Sequence, residues 1–145
     1  MKTSVLFLSL LWRTFVAYLL VALVLAIGFK GLNIDLSSHT LIKLKPTFAY
    51  IIYAFILITI QLGAGVNIIQ LIAGKKLSLS RSAWRRYAFE LSFLFIALAI
   101  TNAIVAFTAP VESWITYKLF GAIALLVAGI YLIANRISKN AASHL

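Results

Sequence analysis

The sequence predicts an all-α membrane protein with four transmembrane helices and both termini in the cytoplasm, an N-in/C-in topology. Hydrophobic residues make up 63% of its 145 positions and charged residues only 11%, whereas a soluble domain carries roughly 25% charged residues. The chain contains four apolar runs of about the 20 residues that a helix needs to cross a bilayer. Basic residues flank these runs unequally on the two sides, which predicts the orientation.

The runs predict one integral membrane domain over residues 1–145, with helices at about 10–30, 47–73, 84–108 and 114–135. The polar gaps between them are too short to hold a separate soluble domain. The chain has no cysteine, which excludes disulfides, thiolate metal sites and a cysteine nucleophile.

The first predicted helix follows Trp12 and Arg13 and continues through the apolar run Phe15 to Phe29. A cleaved signal peptide is the alternative, because a positive start precedes an apolar segment. No small-residue cleavage site precedes Lys30, so we expect an uncleaved helix with Trp12 and Arg13 at the membrane interface.

The second predicted helix begins at Pro46 and Thr47, since proline is favoured in the first turn of a helix. Its second half carries Gln61, Asn67 and Gln70. Asn67 and Gln70 lie three positions apart and share a face, while Gln61 points roughly the opposite way. Two interpretations remain open, which are hydrogen bonding between helices and a polar path through the bundle.

The most basic loop connects the second and third helices and predicts the cytoplasmic side. It contains Lys75, Lys76, Arg81, Arg85 and Arg86. This orientation places nine of the 13 Lys and Arg residues inside. The other four, Lys30, Lys43, Lys45 and Lys118, lie outside. Because basic residues at span ends meet anionic head groups, we expect the lipid bilayer and not nucleic acid to be their partner.

The third predicted helix contains an intramembrane acid, Glu90, and such a residue is a candidate functional group. Arg86 lies four positions earlier on the same face, which favours an interfacial ion pair. Asn102 is expected to hydrogen-bond a neighbouring helix. In the fourth helix, Trp114 is expected to anchor the interface.

Small residues recur at a spacing of four in the last two helices, at Ala99 and Ala103 and at Ala124 and Ala128. This spacing allows helices to approach closely. It is compatible with a compact monomer and with a homodimer.

The sequence contains no catalytic constellation that we recognise. There is no paired carboxylate, HExxH, Gly-rich phosphate loop or GxSxG motif. The two histidines, His39 and His144, lie in polar segments. We therefore expect a protein that is not an enzyme and has no cofactor or metal.

Three blocks of sequence resemble a known family. The first runs from Leu41 to Thr47, the second combines Gly74 to Leu79 with Trp84, Arg85 and Arg86, and the third spans Asn102 to Gly121. In order and spacing, these blocks resemble the bacterial intracellular septation protein A family. The motif residues are Lys43, Lys45, Pro46, Thr47, Lys75, Lys76, Trp84, Arg85, Arg86, Asn102, Trp114, Lys118 and Gly121.

The resemblance implies a multi-pass protein of the bacterial inner membrane that supports envelope integrity and septation by contacting division or elongation proteins. The candidate contact surfaces are the basic loop from Lys75 to Arg86 and an outer face of Lys43, Lys45, Trp114 and Lys118.

This chain departs from the family pattern in two ways. Family members are usually longer, with about five spans, so the usual N-terminal pair of helices is expected to be missing or reduced to the segment Met1 to Leu11. Ala88, Glu90 and Leu91 also differ from the residues expected at those positions.

Two other functions fit the composition. One is a small oligomeric transporter or channel built on the polar residues Gln61, Asn67, Gln70, Glu90 and Asn102. The other is an accessory subunit that stabilises a larger membrane complex.

Overall fold

The computed structural model describes residues 3–31, 39–73, 77 and 79–142, and this part of the chain contains helices and no strand. The helices are α1 (Thr3–Gly31), α2 (His39–Gly63), α3 (Ile68–Ala73), α4 (Arg81–Thr108), α5 (Val111–Thr116) and α6 (Ala122–Ala142), with a π-helical segment at Tyr117–Gly121 between α5 and α6. Four segments are long and apolar enough to cross a membrane: Thr3–Lys30, Thr40–Gly63, Arg81–Thr108 and Val111–Asn140. The predicted all-α fold with four spans is confirmed.

The four long segments alternate in direction. Thr3 at the start of α1 shares a 2.8 Å hydrogen bond with Ser138 near the end of α6. Lys43 near the start of α2 reaches the carbonyl of Ala109 just beyond the end of α4, at 2.7 Å. One end of the bundle therefore holds the starts of α1 and α4 and the ends of α2 and α6, and we call it the proximal end. The opposite, distal end holds the start of α2, the end of α4, and α5.

An aromatic layer joins α1, α2 and α4 in the middle of the bundle. It consists of Tyr18, Tyr50, Tyr53 and Phe95, and the Tyr53 and Phe95 ring centroids are 4.6 Å apart. Tyr18 packs on Phe95 with a centroid separation of 5.5 Å. Because lipid tails are as apolar as the side chains, such packing contacts hold membrane helices together in place of a hydrophobic driving force.

Helices α4 and α6 are in close contact at a glycine. A Cβ atom added at Gly129 would collide with the side chain of Leu94. Of the small residues singled out by their spacing, Ala99 is buried, whereas Ala124 and Ala128 are exposed. The α4–α6 contact thus relies on Gly129, and a homodimer stays a prediction.

The second predicted helix, 47–73, differs from the structure at both ends. It begins at His39, so Pro46 lies about two turns inside α2 and not in its first turn. Helix α2 ends at Gly63, and the chain turns through Gly65, whose φ of 65° is a left-handed conformation that glycine adopts without steric cost. The polar second half of the predicted helix is therefore a turn followed by the short helix α3.

The other predicted helices differ from the structure mainly at their starts. Helix α1 begins at Thr3 and not near residue 10, α4 begins at Arg81, and the fourth span begins with α5 at Val111. Because α1 starts early, Arg13 lies well inside it. Arg13 is 5% exposed and donates from Nη1 to Ser9 Oγ at 2.6 Å. The expected interfacial position of Arg13 is therefore wrong, because its side chain packs within the bundle.

Candidate functional site

The amide of Asn102 connects three helices at the distal end. Its Nδ2 atom donates to the carbonyl of Lys43 at 3.0 Å and to Thr47 Oγ1 at 2.8 Å. Its Oδ1 atom accepts a hydrogen bond from Trp114 Nε1 at 3.3 Å. Asn102 is 1% exposed, so these bonds lie in the interior and link α2, α4 and α5. We call Lys43, Pro46, Thr47, Asn102 and Trp114 the distal brace.

The brace lies beside a proline inside a membrane helix. Pro46 has no N–H to donate, and its ring opens the turn that precedes it. Lys43 belongs to that turn, and its carbonyl accepts the bond from Asn102. The carbonyl that loses its helical donor to Pro46 is that of Ile42, four residues earlier, so the bond to Lys43 is an additional one. It satisfies the Asn102 amide in hydrocarbon, where an unsatisfied polar group costs several kcal/mol, and it ties α4 to the turn of α2 that precedes Pro46.

The ammonium group of Lys43 donates hydrogen bonds to the end of the neighbouring helix, α4. It donates to the carbonyl of Ala109 at 2.7 Å and more weakly to that of Ala106 at 3.4 Å. The last carbonyls of a helix have no partner within it and carry partial negative charge. Lys43 therefore caps the end of α4, immediately before Pro110 turns the chain into α5.

The π-helical segment follows the brace and carries Lys118 and Gly121 of the third motif block. A Cβ atom at Gly121 would lie 2.8 Å from a ring carbon of Tyr117, so only glycine lets this ring lie against the backbone. Lys118 places its Nζ atom 5.2 Å from the centre of the Trp114 ring, a cation–π geometry. Single π-helical turns within α-helices are frequent at functional sites.

The predicted outer contact face divides into internal and exposed residues. Lys43 is engaged with α4, and Trp114 is 6% exposed, so neither presents a free surface or acts as an interfacial anchor. Lys45 and Lys118 are exposed. Both line a cavity of about 340 Å³ between α1, α2 and α6 whose walls include Tyr18 and Tyr50.

The proximal end holds a second set of motif residues. Trp84 is 2% exposed, and its carbonyl accepts a 3.1 Å bond from Asn67 Nδ2. Asn67 Oδ1 in turn accepts from the backbone N–H of Ile69 at 2.8 Å, which caps α3. Arg85 is exposed, and Lys75 and Lys76 lie outside the described residues.

Glu90 forms the ion pair that its spacing from Arg86 predicts. Arg86 Nε lies 2.6 Å from Glu90 Oε1, and Arg136 of α6 adds a second contact of 3.6 Å to Glu90 Oε2. Both arginines are about half exposed or more, as expected for an interfacial pair. This pair ties the start of α4 to the end of α6.

The polar residues of the hypothetical transport path fall into two groups in the described part of the chain. The residues toward the proximal end are Gln61, Asn67, Gln70 of α3 and Glu90, and Asn102 lies toward the distal end. The aromatic layer around Tyr53, which is 0% exposed, fills the space between them. No group of three potential metal-ligating side chains lies together among the residues that the structure describes.

Sequence reasoning named every residue of the brace but missed how they meet. One feature of the sequence could have predicted a cap on α4. Pro110 marks the end of a helix, and the last carbonyls of a helix need hydrogen-bond donors. The close contact of Tyr117 with Gly121 also has a signal, since the two residues are four positions apart. Nothing in the sequence pairs Asn102 with Thr47, which is 55 residues away.

We predict that Asn102→Leu destabilises the protein by about 1–2 kcal/mol, because three polar groups around it lose their partner in an apolar medium. The measurement is unfolding by SDS titration of the protein in detergent micelles. The control is Thr101→Val, because Thr101 is partly exposed and its hydroxyl donates to Ala97 of its own helix. If both variants unfold at the same SDS fraction as the unsubstituted protein, the brace does not stabilise the fold.

Comparisons with known proteins cover nearly the whole chain. The sequence profile of the family described as intracellular septation protein A matches residues 1–144. The inner membrane-spanning protein YciB of Paraburkholderia phymatum is 33% identical over 102 residues, which cover 70% of this chain and 58% of that protein. Its counterpart in Escherichia coli O1:K1 is 32% identical over 118 residues, which cover 78% of this chain and 66% of that protein. No solved structure shows a significant match.

The matched part of the chain spans less than two thirds of the length of these relatives. The relatives' shared name and the four spans describe a multi-pass protein of the bacterial inner membrane. The family predicted from the three motif blocks is confirmed, and the chain belongs to the intracellular septation protein A family.

Proposed function

We propose that this chain is a non-enzymatic inner-membrane protein that supports envelope integrity and septation through contacts with division or elongation proteins. The observation that carries the proposal is the match of the septation family over residues 1–144. The arrangement of the motif residues supports it, because they build a braced bundle with exposed basic groups at both ends.

The exposed basic residues are the candidate contact points of this proposal. At the distal end these are Lys45 and Lys118, and at the proximal end Arg85. Lys75 and Lys76, which lie outside the described residues, are candidates from the sequence alone. Lys43 and Trp114 support the distal residues from inside, since replacing them would break the bonds that hold α2, α4 and α5 together. Their effect on a partner would therefore be indirect.

The proposed orientation has the proximal end in the cytoplasm. Both described chain ends lie at this end, together with Arg81, Arg85 and Arg86 at the start of α4. The excess of positive charge there supports an N-in/C-in topology.

Single cysteines test this orientation, because the chain contains none of its own. Lys118→Cys at the distal end and Lys139→Cys at the proximal end both replace exposed lysines. We expect a membrane-impermeant maleimide added to spheroplasts to label residue 118 and to label residue 139 only after lysis. Labelling of residue 139 before lysis would contradict the orientation.

Crosslinking in intact cells tests the partner proposal. Affinity purification of the tagged chain is expected to recover division or elongation proteins. The variants Lys45→Gln/Lys118→Gln and Lys75→Gln/Lys76→Gln each remove two candidate contacts while keeping the side chains polar. We expect at least one of them to lower recovery several-fold, because charge complementarity contributes to docking.

Lys139→Gln is the matched control for the loss of a basic residue and is expected to recover partners like the unsubstituted chain. Recovery that is unchanged in both double variants would show that these residues only fix topology. If the unsubstituted chain recovers only copies of itself, the proposal of contacts with the division machinery is wrong.

A further inference from the structure

A polar groove lies at the proximal end, where α2 ends and α4 begins. Its volume is about 450 Å³, and it is lined by Gln61, Leu62, Gly65, Arg81, Ser82 and Arg85. Two spans terminate here, so the groove lies at the depth of the lipid head groups. Leu62 supplies an apolar wall on the side of the hydrocarbon.

The positive charge of the groove has no internal counterion in the described part of the chain. Arg81 and Arg85 are one helical turn apart and exposed. The two carboxylates that the structure describes are Glu90, which pairs with Arg86 and Arg136, and Glu112, which lies in α5 at the distal end. The two groove arginines are therefore available for an anion, and arginine binds phosphate oxygens well because of its planar fork of donors.

The turn after α2 holds one of these arginines against the backbone. A Cβ atom at Gly65 would lie 2.9 Å from Nη2 of Arg81. Gly65 also has a φ of 65°, so the turn itself favours a glycine. The Arg81 guanidinium lies against this turn.

Gln61 provides an independent sign of a ligand. It is 7% exposed, and its Oε1 atom is buried with no hydrogen-bond partner in the described part of the chain. Leaving a buried acceptor without a partner is unfavourable. An anion alone cannot satisfy this oxygen, because it needs a donor. The ligand should therefore combine an anionic group with a hydrogen-bond donor a few atoms away.

We propose that this groove binds the head group of phosphatidylglycerol. Its phosphate would accept hydrogen bonds from Arg81 and Arg85, and a glycerol hydroxyl would donate to Gln61 Oε1. Phosphatidylethanolamine also has a donor, but its ammonium would be repelled by the two arginines. Phosphatidic acid has the phosphate but lacks the glycerol arm that reaches the glutamine.

Native mass spectrometry of the purified full chain in detergent tests the proposal with these three lipids. The unsubstituted chain is expected to bind one phosphatidylglycerol about tenfold more tightly than phosphatidylethanolamine. An interfacial arginine is worth about 1 kcal/mol toward an anionic lipid, which is roughly fivefold in affinity. Arg85→Gln, which keeps the contact between Arg81 and Gly65, should therefore bind phosphatidylglycerol about fivefold more weakly.

Two further variants distinguish binding of the lipid at this groove from nonspecific attraction between anionic lipids and the positive charge of the protein. Lys139→Gln removes an exposed positive charge at the same end and should leave the affinity unchanged. Gln61→Leu should abolish the preference for phosphatidylglycerol over phosphatidic acid while it retains binding to both, because the arginines remain.

Three results would overturn the proposal. They are equal affinity for phosphatidylglycerol and phosphatidylethanolamine, equal losses in Arg85→Gln and Lys139→Gln, and an unchanged lipid preference in Gln61→Leu. Thermal unfolding in the same detergent, followed by tryptophan fluorescence, confirms that each variant is folded before its lipid binding is compared.

Discussion

The need to satisfy backbone hydrogen bonds inside hydrocarbon governs the distal half of this protein. Pro46 leaves the carbonyl of Ile42 without its helical donor, and the carbonyl of the next residue, Lys43, accepts a hydrogen bond from the Asn102 amide of α4. The carbonyls at the end of α4 also lack helical donors, and the ammonium of Lys43 donates to the carbonyl of Ala109. Each helix thus donates a side-chain hydrogen bond to the backbone of its neighbour, and these bonds fix the two helices in register.

These contacts give several residues of the family motif a structural role. Residues that the sequence offers as a contact surface, such as Trp114 and Trp84, are buried and hold helices together. The groups that remain exposed, Lys45 and Lys118 at one end and Arg81 and Arg85 at the other, are positive. A rigid bundle with basic groups at both membrane surfaces suits a protein that meets lipid head groups and membrane partners, and it agrees with the proposed supporting role in septation.

The sequence predicted those features that depend on local composition. Hydropathy was sufficient to predict the four spans. The spacing of four residues was sufficient to predict the ion pair between Arg86 and Glu90. The features that depend on distant contacts were missed. Helix α2 continues through Pro46, and the Asn102 amide that bonds its Lys43 carbonyl lies 59 residues further along the chain. The polar stretch after Gln61 contains a turn at Gly65, whose φ of 65° favours glycine.

A double-mutant cycle between Thr47 and Asn102 tests most directly whether the brace joins α2 to α4. Thr47→Val and Asn102→Leu are measured singly and together by SDS unfolding. The account predicts that the two losses are not additive, with a coupling free energy of about 1 kcal/mol, because both single changes remove the same hydrogen bond. Losses that add within about 0.3 kcal/mol would show that the two side chains act independently and would contradict the account.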